Sequence, residues 1–203
     1  HLATLNAGHR LAGPPVNTGW RHNGSQFGLS KFDTWGPESG ADVGIIEIDN
    51  NSTDLPTIAN RLWLYNGTTG AQYTVTYETP QQYQTVGVQA CAYGSHSNDS
   101  ECGVIGPNIN VRHSSPAWGQ TIYITGTYEY SIDLIPGDSG GPIYQVATST
   151  TRYAMGTHVH SVEGNTVPII GQSGWYTPYG SGQTAYVLAS PGDNYSICVT
   201  AAC

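Results

Sequence analysis

Short runs rich in β-branched and aromatic residues recur along the chain, and clusters of glycine, asparagine and proline separate them. No apolar stripe with a helical period reaches a useful length, so the pattern predicts strands joined by turns. The predicted strands are residues 43–48, 71–77, 84–90, 121–130, 142–146 and 153–160. Turns are predicted at 36–40, 66–70, 106–110 and 191–194, and the segment 184–189 fits either a strand or a short helix. This regular spacing favours a barrel or a sandwich.

Composition agrees with an all-β fold class. The 203 residues include 26 glycines and 14 tyrosines but one methionine, so strong helix formers are scarce. A chain of this length forms one domain or two small half-domains and buries about 70% of its unfolded surface. The formal net charge is −8, and the six lysines and arginines are scattered. These features argue against a nucleic-acid partner and against binding to an anionic membrane surface.

Neither a membrane span nor a metal or other cofactor is predicted. No run of about 18 apolar residues occurs, and the four cysteines lack the CxxC spacing of a zinc site. Six N-x-Ser/Thr sequons occur, at Asn23, Asn50, Asn51, Asn66, Asn98 and Asn194. Together with cysteines that can pair, they indicate a secreted, extracellular glycoprotein. Since no signal peptide is visible, we expect a processed chain.

The stretch Pro-Gly-Asp-Ser-Gly-Gly-Pro, residues 136–142, is the strongest candidate for chemistry. A serine hydroxyl becomes a nucleophile when a histidine accepts its proton and a carboxylate orients that histidine. Flanking glycines allow backbone angles that aim N–H groups at the oxygen that becomes negative. The N–H groups of Gly137 and Ser139 would form this oxyanion hole. The alternative is an ordinary polar turn.

This stretch resembles the nucleophile motif of the chymotrypsin-like serine proteases, and its context is most similar to their streptogrisin and α-lytic protease branch. Leu-Asn-Ala-Gly-His at 5–9 resembles the segment that carries the general base of the family. Asp-Val-Gly-Ile-Ile at 42–46 resembles the segment whose aspartate orients that histidine. Residues 91–104 resemble the small disulfide loop between the two barrels, so an exposed loop at 95–101 would be closed by Cys91 and Cys102.

The resemblance implies the roles of three residues and the architecture that carries them. His9 would be the general base, Asp42 its partner and Ser139 the nucleophile, while Asp138 would be structural and pair with a buried cation or donor. The implied fold is two antiparallel six-stranded β-barrels, as in trypsin. Residues 1–83 would form the first half and residues 84–203 the second, in one compact catalytic unit.

The sequence departs from the family pattern before and after His9. Eight residues precede His9, so the first barrel is expected to lack its opening strands in this chain. Those strands could belong to a cleaved N-terminal segment that remains a partner, the chain could be trimmed, or the first half could be rebuilt. Arg10 stands where the family has a cysteine. Cys198 and Cys203 are expected to pair with each other, with intermolecular pairing as the alternative.

Substrate selection is expected to involve residues before Ser139 and along the segment 156–161. Asp133 lies six positions before Ser139, where trypsin-like enzymes bind a basic side chain, but an insertion typical of the branch would move it to the pocket rim. Gly156-Thr157-His158 resembles the Gly-x-His of glutamate-specific endopeptidases and favours an acidic or large polar side chain. His158 could instead pair with Asp133 or be satisfied by the backbone. A substrate-binding edge strand would follow at Val159, His160 and Ser161.

The leading hypothesis is a secreted serine endopeptidase that hydrolyses peptide bonds of a polypeptide substrate through an acyl-enzyme. A second is a catalytically inactive protein with the same fold that serves as an extracellular binding or assembly component. A third, a lectin-like carbohydrate-binding domain, rests on the five tryptophans and many tyrosines. Core packing explains those aromatic residues better.

Overall fold

The structure, a computed structural model, describes residues 3–6, 19–22, 25–33, 42, 44–48, 61–66, 68–117, 120–161 and 166–181. These residues are mostly β-strands, with a single 3₁₀ turn at Gln81–Tyr83 and one helical turn at 179–181. The strands are β1 (Ala3–Asn6), β2 (Gly19–His22), β3 (Ser25–Asp33), β4 (Gly44–Ile48), β5 (Arg61–Asn66), β6 (Thr69–Glu78), β7 (Gln89–Gly94), β8 (Asp99–Val104), β9 (Val111–Ala117), β10 (Gln120–Asp133), β11 (Pro142–Val146), β12 (Thr151–Ser161) and β13 (Ile169–Pro178).

The first four strands form an antiparallel sheet in the order β1-β4-β3-β2. In the pairing of β1 with β4, Asn6 stands opposite Gly44. The end of β1 and the beginning of β4 therefore meet at the same end of the sheet. The two chain segments predicted to carry His9 and Asp42 adjoin that end, because His9 follows Asn6 and Asp42 precedes Gly44 in the sequence.

Six strands of the second sheet curl into a barrel. They follow the order β8-β7-β11-β12-β13-β10, with antiparallel pairing at each step. An antiparallel bridge between Ile105 and Tyr130 joins the end of β8 to β10. The N–H of Val104 also donates a hydrogen bond of 2.9 Å to Oγ of Ser131. These contacts connect the first and the last strand of the path and so close the barrel.

Two further pairings extend this sheet. Strand β9 pairs with β10, and the hairpin β5–β6 joins through β6, which runs parallel to the first residues of β12. There the guanidinium of Arg152 lies 3.7 Å from the centre of the Tyr73 ring. Its Nη1 donates hydrogen bonds to the carbonyl oxygens of Thr148 and Thr151. Cation–π and hydrogen-bonding contacts thus hold a buried cation at this end of β12.

The core of the barrel consists of buried apolar and aromatic side chains from the strands around it. Its members are Ala90, Ala92, Ile105, Tyr128, Tyr130, Ile132, Leu134, Ile143, Met155 and Tyr176. Three of them are tyrosines, whose hydroxyl groups require hydrogen-bond partners when buried. The barrel interior therefore carries polar chemistry as well as packing.

Most predicted strands are confirmed. Residues 142–146 coincide with β11, the runs 71–77, 121–130 and 153–160 lie inside longer strands, and 43–48 corresponds to β4. The turn predicted at 66–70 joins β5 to β6. The segments 36–40, 184–189 and 191–194 lie outside the described residues.

Two local predictions are wrong. The run 84–90 is not a strand until Gln89, because Gly87 has a φ of +84° and the Gln84 side chain is buried, donating hydrogen bonds to Thr79 and Met155 carbonyls. The exposed loop predicted at 95–101 is shorter, since β8 begins at Asp99 and pairs with β7 as a hairpin. At residues 84–88, contacts with residues distant in the sequence override the local strand pattern. At residues 99–101, pairing with β7 overrides the local loop pattern.

Within the described part of the chain, no helix is long and apolar enough to cross a membrane. The same residues contain no cluster of three or more histidine, cysteine or acidic side chains that could hold a metal ion.

Candidate active site

The turn around Ser139 has backbone angles that explain its glycines. The N–H of Asp138 donates a hydrogen bond of 3.1 Å to the carbonyl oxygen of Ile135, which closes a turn over Pro136 and Gly137. Gly137 has a φ of +110° and Gly140 a φ of +90°. Proline followed by a residue with positive φ is typical of a type II turn. A side chain at either glycine would be strained, so the motif fixes the peptide units on both sides of Ser139.

The Asp138 carboxylate is held by the hairpin between β7 and β8. Asp138 is buried, and its Oδ1 accepts hydrogen bonds from the backbone N–H groups of His96 at 2.8 Å and Ser97 at 3.0 Å. The sequence predicted a buried cation or donor as its partner, and the donors are these two amides. The disulfide between Cys91 and Cys102 links the two strands of the same hairpin.

Glycines permit the close approach of this hairpin to the Ser139 turn. A Cβ atom on Gly94 would lie 2.2 Å from the carboxyl of Asp138, and one on Gly141 would lie 2.2 Å from the Tyr93 carbonyl oxygen. On the outer side, a Cβ on Gly137 would lie 2.9 Å from Cγ of His96. The hairpin therefore contacts the turn on both sides of Ser139, which restricts how far the turn can move.

The end of β12 lies against the other side of the turn. The N–H of Gly140 donates to the carbonyl of His158 and the N–H of His158 donates to the carbonyl of Gly141, both at 2.9 Å. The Ser139 hydroxyl donates a weak hydrogen bond of 3.4 Å to the carbonyl oxygen of Val159. Ser139, His158 and Val159, all predicted site residues, are thus brought together, and His160 and Ser161 follow along the same strand.

His158 is buried and lies between two hydroxyl groups. Its Nδ1 is 2.8 Å from the Tyr130 hydroxyl, and its Nε2 is 3.2 Å from Oγ of Ser161. The Tyr130 ring meets the imidazole edge-on, with centroids 5.9 Å apart. Tyr130 is a functional candidate that the sequence did not reveal, because a tyrosine in an apolar strand looks like any core residue.

A second buried hydroxyl extends this polar region. Tyr176 packs edge-on against Tyr130, with ring centroids 5.6 Å apart, and its hydroxyl donates a hydrogen bond of 2.9 Å to Oε1 of Gln84. Burial raises the pKa of Tyr130 well above its ordinary value of 10.0, and the nearby Asp133 and Asp138 charges add to this effect. Burial also raises the pKa of Tyr176, with a smaller contribution from Tyr128. Both hydroxyls therefore keep their protons in the folded protein.

Because the pKa values of these two tyrosines are raised in the folded protein, we expect the protein to lose stability at alkaline pH. Above about pH 10 the unfolded chain releases both phenolic protons while the folded chain retains them. The unfolding free energy should then fall by roughly 1.4 kcal/mol per tyrosine for each pH unit. Denaturant titrations at increasing alkaline pH would measure this slope. Tyr130→Phe and Tyr176→Phe should each reduce it, and an unchanged slope in both variants would contradict the assignment.

Asp133 is fully buried at the end of β10, where it pairs with Ile169 of β13. The predicted place of Asp133 at the rim of a substrate pocket stays a prediction. The pairing of β10 with β13 continues to this position beyond a register irregularity between Tyr130 and Ile132.

The predicted triad has two other members, Asp42 and His9. Asp42 lies two residues before β4 and is fully buried. His9 lies outside the described residues. A buried aspartate at this position requires hydrogen-bond or charge partners, which a turn-capping aspartate at the surface would not.

The predicted pairing of Cys91 with Cys102 is confirmed. Cys198 and Cys203 lie outside the described residues, as do the sequons at Asn23, Asn50, Asn51 and Asn194. Asn98 is exposed at the tip of the β7–β8 hairpin with a φ of +54°, and Asn66 ends β5. Glycosylation at each sequon stays a prediction.

Solved structures with the same fold are serine proteases. A glutamic-acid-specific serine protease, described as using a histidine triad in substrate binding, has a TM-score of 0.62 at 20% identity, covering 91% of this chain and 83% of its own. Cellulomonas bogoriensis chymotrypsin has a TM-score of 0.62 at 19% identity, covering 90% and 81%. The α-lytic protease homologue N4 has a TM-score of 0.58 at 18% identity, covering 91% and 83%.

The chain has the chymotrypsin-like serine protease fold. The predicted all-β fold class and the resemblance to the streptogrisin and α-lytic protease branch are confirmed at this level. No protein-family model matches the sequence, and no curated protein matches it either. The protease fold was thus recognisable from a few short motifs and from the structure.

Proposed function

We propose that this protease-fold protein is a serine endopeptidase that hydrolyses peptide bonds through an acyl-enzyme. Ser139 attacks the peptide carbonyl, His9 takes and returns the proton, and Asp42 orients His9 and stabilises its charged form. The N–H groups of Gly137 and Ser139 stabilise the oxyanion. The observation that carries the proposal is the Ser139 turn, with positive φ at Gly137 and Gly140 and a hydroxyl beside the Val159 carbonyl.

Strand pairing supports the partnership of His9 with Asp42. His9 lies three residues beyond Asn6, and Asp42 lies two residues before Gly44, the residue opposite Asn6. An extended chain spans at most about 3.5 Å per residue, so both side chains start within roughly 10 Å of one strand end. The burial of Asp42 supports a role inside the protein rather than at a surface turn.

Several further predictions belong to the same proposal. The chain would consist of the halves 1–83 and 84–203, would act on polypeptides in an extracellular setting, and would bind substrate along Val159, His160 and Ser161, with Asp133 and His158 beneath them. The disulfide between Cys91 and Cys102 supports an oxidising compartment. The neighbour that binds substrate through a histidine triad supports a role for His158 with acidic or large polar side chains.

Fluorophosphonate labelling tests the proposed nucleophile. The intact, folded protein should form a covalent adduct, because an activated serine hydroxyl displaces the fluoride while ordinary serines do not react. Mass spectrometry of the digested protein should place the added mass on the peptide that contains Ser139. Protein unfolded in denaturant should remain unlabelled.

Trypsin treated in parallel serves as the reference for the reagent. If trypsin reacts and the folded protein does not, the endopeptidase proposal fails. The alternative, a catalytically inactive protease-fold protein acting in extracellular binding or assembly, would then take its place.

A further inference from the structure

The hydrogen bond between Tyr130 and His158 has a direction that the contacts determine. Tyr130 is fully buried, and the described residues offer its hydroxyl one hydrogen-bond partner, Nδ1 of His158 at 2.8 Å. A buried hydroxyl hydrogen without an acceptor is costly, so the hydroxyl donates and Nδ1 accepts. Among the described contacts of this side chain, the others are made by its ring.

An accepting Nδ1 fixes the tautomer of the imidazole. A neutral imidazole with a lone pair at Nδ1 carries its proton at Nε2. Nε2 lies 3.2 Å from Oγ of Ser161, so its N–H donates to that oxygen. The Ser161 hydroxyl then has its own hydrogen left for a further acceptor. The sequence of donors runs in one direction, from Tyr130 through His158 to Ser161, which is half-buried at the end of β12.

The end of this donor series lies where a substrate would lie. Val159 contacts the Ser139 hydroxyl through its carbonyl oxygen, and Ser161 is two residues further along the same strand. A residue whose carbonyl carbon is attacked by Ser139 must lie alongside Val159. Its side chain is therefore the substrate group best placed to meet the Ser161 hydroxyl.

The charges around the donor series disfavour an anionic side chain. Asp133 and Asp138 are buried, and both act electrostatically on Tyr130, raising its pKa. Arg152, the arginine on the same strand, lies nine residues from Ser161, about 30 Å along an extended strand. Asp133 and Asp138 thus place negative charge near Tyr130, the first donor of the series. A carboxylate bound at Ser161 would add a further negative charge to this region, whereas a carboxamide oxygen accepts the same hydrogen bond without this repulsion.

Resting on the proposed endopeptidase function, we propose that Tyr130 is a positioning residue for substrate selection. Through His158 it presents the Ser161 hydroxyl as a neutral hydrogen-bond donor. The site then selects a carboxamide side chain, glutamine or asparagine, at the residue before the scissile bond. The sequence predicted a specificity for acidic or large polar substrate side chains, and the proposal restricts this specificity to side chains that accept a hydrogen bond and carry no charge.

Matched peptides that differ only at the residue before the scissile bond test this selection. We expect kcat/KM to be about tenfold higher for glutamine than for leucine or glutamate, which corresponds to one hydrogen bond. Tyr130→Phe and Ser161→Ala should each remove most of the preference for glutamine over leucine. Tyr128→Phe, a buried tyrosine on the same strand, is the matched control and should keep it.

Equal losses for glutamine and leucine peptides in Tyr130→Phe would indicate a merely structural role and overturn the proposal. A preference for glutamate over glutamine would overturn it too. The His158 tautomer provides a readout that needs no catalysis. Nitrogen-15 chemical shifts of the full chain should show a proton on Nε2, with a changed Nδ1 shift in Tyr130→Phe.

A proton on Nδ1 of His158 in the wild-type protein would contradict the proposed donor series, regardless of the result of the peptide kinetics. Failure of the endopeptidase proposal looks different, because no peptide would be cleaved and no fluorophosphonate adduct would form. In that case the nitrogen-15 shifts still decide whether Tyr130 orients His158.

Discussion

Replacing Ser139 by alanine is expected to lower kcat for peptide hydrolysis by about a millionfold, because the nucleophile of the acyl-enzyme pathway is lost. The fold should be unchanged, since the one hydrogen bond that the Ser139 side chain makes to the described residues is weak and leads to Val159. Hydrolysis of a chromogenic peptide measures the rate, and far-ultraviolet circular dichroism checks the fold. Ser149→Ala, an exposed serine in the turn between β11 and β12, is the control and should retain full activity.

The residues of a catalytic triad act as a unit, so the effects of replacing two of them should not multiply. A Ser139→Ala, His9→Ala double variant should be no less active than Ser139→Ala alone, because the proton transfer has no purpose without the nucleophile. Residual activity in Ser139→Ala above a hundredth of the wild type, or losses that multiply in the double variant, would contradict the assigned triad.

Gly94→Ala is expected to lower kcat by about a hundredfold or more while the chain still folds, an effect similar to the loss of an oxyanion donor. The new Cβ would lie 2.2 Å from the Asp138 carboxyl and 2.4 Å from Oγ of Ser97. The carboxylate and the two amides that bind it must separate, so the turn that aims the Gly137 and Ser139 N–H groups loses its support. Kinetics below the melting temperature, with fluorophosphonate labelling rates, measure the effect.

Gly171→Ala is the matched control for Gly94→Ala. Gly171 has a φ of +90° and open space around it, so alanine there brings backbone strain without a clash. We expect a stability loss of about 1 kcal/mol and an unchanged kcat. A folded Gly94→Ala protein with wild-type kcat would show that the β7–β8 hairpin does not hold the oxyanion turn.

The sequence by itself determined several of the strands and the nucleophile motif. Strand β11 is a short run with β-branched and aromatic residues, and Gly137 and Gly140 stand where the backbone has a positive φ that other residues rarely adopt. The pairing of Cys91 with Cys102 was expected from the resemblance of residues 91–104 to the small disulfide loop of the family, and the structure confirms it. Such features depend on neighbours in the chain and can be predicted from short patterns.

The tertiary structure alone decided the partners of the buried polar groups. The Asp138 carboxylate accepts a hydrogen bond from the His96 amide, which is 42 residues away in the sequence. The Tyr130 hydroxyl bonds to His158, which is 28 residues away. The side chain of Gln84, the first residue of the predicted strand 84–90, donates a hydrogen bond to the carbonyl oxygen of Met155, 71 residues away in the sequence. A buried carboxylate or hydroxyl needs some partner, but its residue type does not specify which one. Closure of the barrel brings these groups together, and the resulting hydrogen bonds then determine the chemistry of the site.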